Sequence, residues 1–156
     1  MNLMHFLRFL MSLSLILWIG GILFFVLVMA RTLFAVLPRH LAGSVVNPTL
    51  NRLHWIGIIS GIVFLASSLV YLRFTRGEFH LFAASHFLIV LMLLLTCISQ
   101  FAVTPQMAPL RAQMAAMESV PTALQTQFDA LHAWSTRLEG GVLLLGLVLV
   151  YLTTRE

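Results

Sequence analysis

The chain contains no lysine, and all nine of its basic residues are arginine. It has five acidic residues and a single cysteine among 156 residues. Charged residues make up 9% of the sequence, where a soluble domain carries about 25%. Such a chain cannot clothe itself for water. No stretch is polar enough to form a second soluble domain or a disordered tail, so residues 1–156 read as one domain. A lone thiol makes no internal disulfide, and Cys97 lies within an apolar run, where it serves as a small packing residue. The arginines are scattered rather than gathered into a basic stripe, which excludes nucleic acid as a partner. There is no phosphate-binding loop, nucleophile elbow or HExxH motif. That tilts the reading away from an enzyme without closing the question.

What the chain has instead is apolar length: 60% of its residues are hydrophobic and its mean hydropathy is +1.00. Four apolar stretches run from Phe9 to Ala30, Trp55 to Leu72, Leu81 to Val103 and Gly140 to Leu152. A helix crossing the hydrocarbon core needs about 20 apolar residues. The first three stretches meet this directly, and the fourth does so once Trp134–Glu139 is included. The spans are therefore placed at roughly 6–30, 54–73, 80–103 and 134–153. The first is longer than the apolar core of a signal peptide, about 7–15 residues, and reads as a retained span. Arginines 8, 31, 52, 73, 76, 137 and 155 cluster at span ends, as headgroup anchors do.

The expected fold class is all-α: an integral-membrane, antiparallel four-helix bundle. Helices 3 and 4 extend beyond the membrane as a helical hairpin. The hairpin follows from Met107, Leu110, Met114 and Met117, then Leu124, Phe128 and Leu131, all at helical spacing. Between the two sets, Glu118-Ser119-Val120-Pro121 is a stop-and-start signal. The connection Arg31–Arg52 holds Pro38, Gly43 and Pro48 and is expected to be irregular. Arg76-Gly77 marks a tight turn on the opposite side. Arginines divide almost evenly between the two sides, so the positive-inside rule has little to act on. The short turn and the N-terminal amine favour the side of the termini as cytoplasmic.

Polar groups at membrane depth are costly and default to a functional hypothesis. His132, Ser135 and Glu139 share a helical face, and His54 and Gln100 fall in the same third of the bundle. Two imidazoles and a carboxylate could hold a transition metal or relay protons. Methionines 107, 114 and 117 lie on that side too, and thioethers suit Cu(I). The bland alternatives are that the histidines mark the headgroup zone beside Trp55 and Trp134, and that Glu139 pairs with Arg52 or His54 to lock helix 4 to helix 2. Towards the other side, His86 could ligate haem, with His5 as its natural partner. Gly57 and Gly61, with Gly20, Gly21, Gly140 and Gly141, are candidate sites of close helix approach.

Several of these residues also carry a family resemblance. Trp18-Ile19-Gly20-Gly21, Leu53-His54-Trp55-Ile56-Gly57, Ala84-Ser85-His86 and the run from His132 through Trp134 and Glu139 to Gly141 resemble the transmembrane protein 205-like family. That family includes a bacterial domain of unknown function. More distantly, the first motif is similar to the CopD copper-resistance group and to membrane-bound protoporphyrinogen oxidases. The resemblance implies a bacterial inner-membrane protein concerned with metal handling, toxic compounds or haem chemistry. Met29-Ala30-Arg31 stands where the oxidases carry a proline-arginine pair, which counts against an oxidase.

Three readings stand open on the sequence. One is a protein handling a metal ion or small toxic compound at His54, His132 and Glu139, with Gln100 and Ser135 in support. Another is a non-catalytic accessory subunit of a larger membrane complex, or a homo-oligomer. The last is a haem-binding redox protein using His86 and His5.

Overall fold

The computed structural model describes residues 3–76, 84–117 and 119–154. In hydrocarbon a backbone must satisfy its own polar groups, and a helix does so within one segment. The described residues form four helices long and apolar enough to cross a membrane: α1 (Leu3–Val36), α2 (Arg39–Thr75), α3 (Ala84–Ala115) and α4 (Thr122–Thr153). The protein is thus an all-helical integral membrane protein. The turn expected at Gly77 lies outside the described residues.

The region Arg31–Arg52 differs from expectation. It is helical on both sides of a short break at Leu37–Pro38, and α2 runs unbroken through Pro48. Pro38 sits just ahead of Arg39, where its missing N–H costs a helix nothing, and its carbonyl accepts from Ala42 at 3.0 Å. Pro48 removes the backbone donor that would reach the Ser44 carbonyl, one lost bond that a long helix tolerates, and the neighbouring Thr49 hydroxyl bonds back to the Val45 carbonyl at 2.9 Å. Prolines here punctuate helices rather than open a loop.

Two helices contain wider, π-helical turns, Phe25–Ala30 in α1 and Ser99–Val103 in α3. The second has an evident cause. Pro105 has no N–H to close a regular turn, and the Thr104 N–H reaches back to the Ser99 carbonyl instead. The Thr104 hydroxyl donates to the same oxygen at 2.9 Å. In a regular helix, adjacent side chains diverge by about 100°. Ser99 and Gln100 both lie buried at the start of this turn.

The core is built around Trp18, Phe64, Ile22, Ile89, Met92, Val142 and Leu149, each almost fully enclosed. Lipid tails are as apolar as leucine, so close packing rather than hydrophobic burial holds such helices together. Glycine supplies the closeness. A Cβ at Gly57 would strike the Trp18 indole, and one at Gly61 would meet Trp18 and Leu93. A Cβ at Gly21 would lie 2.8 Å from Leu53 Cδ1, and one at Gly141 3.3 Å from Leu95 Cδ1. Gly20 and Gly140 differ: both are exposed, and a Cβ at either would meet nothing within 4 Å. Gly146, which the sequence motifs pass over, packs against Ile19 and Met92. On the outside, Phe9, Ile16, Phe24, Ile59, Ile62, Phe87 and Leu144 are exposed apolar groups.

These contacts yield a direct test. Gly57→Leu is expected to cost about 1–3 kcal/mol of stability by forcing the Trp18 indole from its seat. Gly20→Ala should stay within about 0.5 kcal/mol of the parent, as substitutions away from packed sites do. Unfolding in detergent, followed by helical circular dichroism, would compare them.

Candidate polar centre

At one end of the bundle, three helices meet at a single imidazole. His54, on α2, is 1% exposed. Its Nδ1 lies 2.9 Å from Gln100 Oε1 on α3, and its Nε2 lies 2.7 Å from Glu139 Oε1 on α4. Gln100 Nε2 in turn donates to Asn51 Oδ1 at 3.3 Å, one helical turn before His54 on α2. Each side chain is placed by a local reason. Gln100 lies buried at the start of the Ser99–Val103 turn, and the tight Trp18–Gly57 contact draws α2 close to α1 beside His54.

The donor pattern fixes where protons sit. Gln100 directs an acceptor oxygen at Nδ1, so Nδ1 carries the hydrogen and donates it. One further proton lies between Nε2 and Glu139 Oε1. It resides on the nitrogen, giving an imidazolium–carboxylate pair, or on the oxygen, giving a neutral pair. Both arrangements have zero net charge, which a low-dielectric interior favours. Adding or removing a proton leaves one net charge at that depth. Glu139 Oε2 is buried and has no hydrogen-bond partner among the described residues.

The structure thus brings His54, Gln100 and Glu139 together and buries Ser135 on the same helix as Glu139. It does not bring in His132. That imidazole is exposed and stacks on Phe128, its own neighbour one turn back, at 6.2 Å between ring centroids. His132 and Glu139 share an azimuth on α4, but at the height of His132 the side chain meets its own helix instead of α2. Among the described residues no group of three or more His, Cys, Asp or Glu side chains could hold a metal ion. The methionines do not converge either: Met107 is buried and Met117 is exposed. Of the two partners that could lock Glu139 to helix 2, Arg52 and His54, the contact is with His54.

Further along the bundle, His86 is buried on α3 and shares a hydrogen bond with Ser68 Oγ on α2 at 3.0 Å through Nε2. His5 is exposed on α1. Between the two buried histidines lie the enclosed apolar side chains Phe64, Ile89 and Met92.

Sequence reasoning missed Asn51, Ser99 and Thr96. Asn51 stands one turn from His54, a spacing that could have revealed it. Thr96 and Ser99 fall on the buried stripe of Ile89, Met92 and Val103 at helical spacing, a pattern that could have revealed them too.

The pair can be probed by removing its supports. Gln100→Ala would leave the Nδ1–H unsatisfied in the core, at an expected cost of about 1–3 kcal/mol. His132→Ala should change stability by less than about 0.5 kcal/mol. Thermal unfolding of the two variants in one detergent would show the difference.

Comparison with known proteins adds one finding. A family model, described as a domain of unknown function (DUF4149), matches residues 13–116, well over half of the chain. No curated protein and no solved structure matches.

Proposed function

The chain belongs to the DUF4149 family, and from its own residues we propose a small integral membrane protein that takes up and releases a proton at the His54–Glu139 pair. One observation carries this reading: a buried imidazole with both nitrogens engaged, one of them 2.7 Å from a carboxylate. A proton can cross so short a hydrogen bond without any change in the net charge of the pair. The metal reading has less support, because a metal would have to displace Gln100 or the shared proton from His54, and among the described residues no third His, Cys, Asp or Glu joins them. The haem reading has less still, since His86 is held by Ser68 and His5 is exposed.

The proposal includes an arrangement in the membrane. We place the helices antiparallel, α1 to α2 to α3 to α4, in a single domain, with α3 and α4 continuing as a hairpin beyond the bilayer. Ordered contacts support this. Along α2 and α3 they run Ser68–His86, Gly61–Leu93 and His54–Gln100, rising on one helix as they fall on the other. Along α3 and α4 they run Met92–Gly146, Leu95–Gly141 and, on the hairpin, the Arg111 guanidinium 5.5 Å over the Phe128 ring. Trp55 and Trp134 are both exposed towards the end of the bundle that holds His54, Trp134 about 7 Å further out because Glu139, five residues past it, meets His54. Tyr71 and Tyr151 follow them by roughly sixteen residues, about 24 Å along a helix. Aromatic groups at that separation suit the two interfacial zones of a hydrocarbon core about 30 Å thick. Glu139 then lies about 7 Å inside Trp134 and level with Trp55. A bacterial inner membrane with cytoplasmic termini remains the placement we favour, together with kinship to the transmembrane protein 205-like and, more distantly, CopD-like groups, on the motifs above.

A second reading draws on Gly20 and Gly140. Both are exposed with nothing near a would-be Cβ, and small residues on lipid-facing helices admit a close partner. They support an accessory subunit or a homo-oligomer, and neither conflicts with a proton site.

The test is infrared spectroscopy of the purified protein across a pH series. Only five acidic side chains exist to assign. The carbonyl stretch of a buried protonated carboxylic acid should grow as pH falls, vanish in Glu139→Gln and persist in His132→Ala. A spectrum without any Glu139-dependent carboxylic-acid band would sink the proposal.

A further inference from the structure

Serine and threonine hydroxyls in helices usually bond back to their own backbone. Ser14, Thr49, Thr75, Thr126 and Thr136 all do so here, to the carbonyl four residues earlier. Thr96 and Ser99 do not. They are 2% and 1% exposed, and neither hydroxyl has a hydrogen-bond partner among the described residues. The third such oxygen in this part of the bundle is Glu139 Oε2.

Register places the three together. A Cβ at Gly146 on α4 would lie 3.1 Å from Met92 Cε on α3. Seven residues from that contact on each helix, two turns along one face, stand Ser99 and Glu139. Four residues from it stand Thr96 and Val142, one turn deeper. Leu95 against Gly141 confirms the direction. Below Thr96 the enclosed side chains of Ile89, Met92 and Leu149 close the way.

We propose that Ser99, Thr96 and Glu139 Oε2 form a buried water site that loads protons onto the His54–Glu139 pair. The inference rests on the proton-site reading and supplies its route. A buried water makes about three hydrogen bonds to otherwise unsatisfied polar groups, and three unpartnered oxygens meet that need. Two hydroxyls can each donate or accept, so they hold the molecule as water or as hydronium. In loading, hydronium at the site gives a proton to Oε2. One O–H bond breaks at the water and one forms at Glu139. Neutral water remains, and the net positive charge gained is carried by the imidazolium at Nε2. Unloading is the reverse. Thr96 and Ser99 are positioning residues, since they orient the water and are themselves unchanged.

The groups around Glu139 are few. α2 presents His54 and, behind it, Asn51; α3 presents Gln100, Ser99 and Thr96; α4 itself adds Ser135. The remaining ionisable groups near this level, Arg52, His132 and Arg137, are exposed, and Arg137 lies over the Trp134 ring at 5.8 Å.

The experiment is the rate at which the Glu139 carboxylic-acid band shifts after transfer from H2O to D2O. The Thr96→Val/Ser99→Ala double variant should keep the band and its pH dependence while exchange slows by roughly ten- to a hundred-fold. Thr96→Ser and Ser99→Thr keep their hydroxyls and should exchange at the parent rate. An unchanged rate in the double variant overturns the water site, as would equal slowing in the hydroxyl-retaining variants, which would trace the effect to packing. Should the double variant fail to fold, Thr96→Val and Ser99→Ala decide singly: slowing in either supports the site, and parent rates in both overturn it. A band missing from the parent protein would instead be a failure of the proton-site reading, and so the two are told apart.

Discussion

Everything at the tryptophan-belted end of this protein depends on one imidazole bridging three helices. His54 on α2 gives one nitrogen to Gln100 on α3 and the other to Glu139 on α4. Remove it and an amide and a carboxylate are left facing each other in an interior that solvates neither. In lipid that penalty is harder to relieve than at a wet surface, because the hydrocarbon offers no hydrogen-bonding partner in place of a lost one. The hydrogen-bonded centre therefore sets how α2, α3 and α4 sit relative to one another at that level. The apolar layer beneath it completes the packing.

The fourth helix is tied in by shape rather than polarity. α1 contributes Trp18, whose indole fills the space that Gly57 and Gly61 leave open on α2. Ile19, the next residue, seats against Gly146 on α4. Two adjacent large side chains on α1 thus lodge in glycine clefts on two different helices. Packing of this kind is directional: a methyl group added at any of the three glycines would have to move a ring or a branched chain. It also fixes the height of His54 against Glu139, because Gly57 lies less than one turn from His54.

Much of the fold was legible because lipid leaves few options. Four apolar stretches of sufficient length, at 9% charge, admit little besides membrane helices. The depths of His54, Gln100 and Glu139 could also be read, since rise along a helix is simple arithmetic. Azimuth was harder. His132 shares a face with Glu139, yet a shared face is useful only where a neighbouring helix stands at the same height, and periodicity is silent on that. Ser99 shows the converse: it shares a buried stripe at helical spacing with Ile89, Met92 and Thr96, yet a stripe does not say which of its members stands near Glu139. Gly20 beside Gly21 and Gly140 beside Gly141 show the same limit: within each pair one residue faces a helix and the other faces outward. Pro48 misled in another way, since a proline in mid-chain suggests a loop while α2 continues through it.

The depth of Glu139 has an electrical meaning. A charge crossing a whole bilayer at 100 mV exchanges about 2.3 kcal/mol with the field. In the proposed placement a carboxylate about 7 Å inside Trp134, in a core of about 30 Å, lies at most roughly a quarter of the way across. A proton travelling between the near surface and Glu139 would then exchange up to roughly half a kcal/mol per 100 mV. A proton site of the kind we propose would thereby respond to membrane voltage, with a sign set by which side of the bilayer that end of the bundle faces.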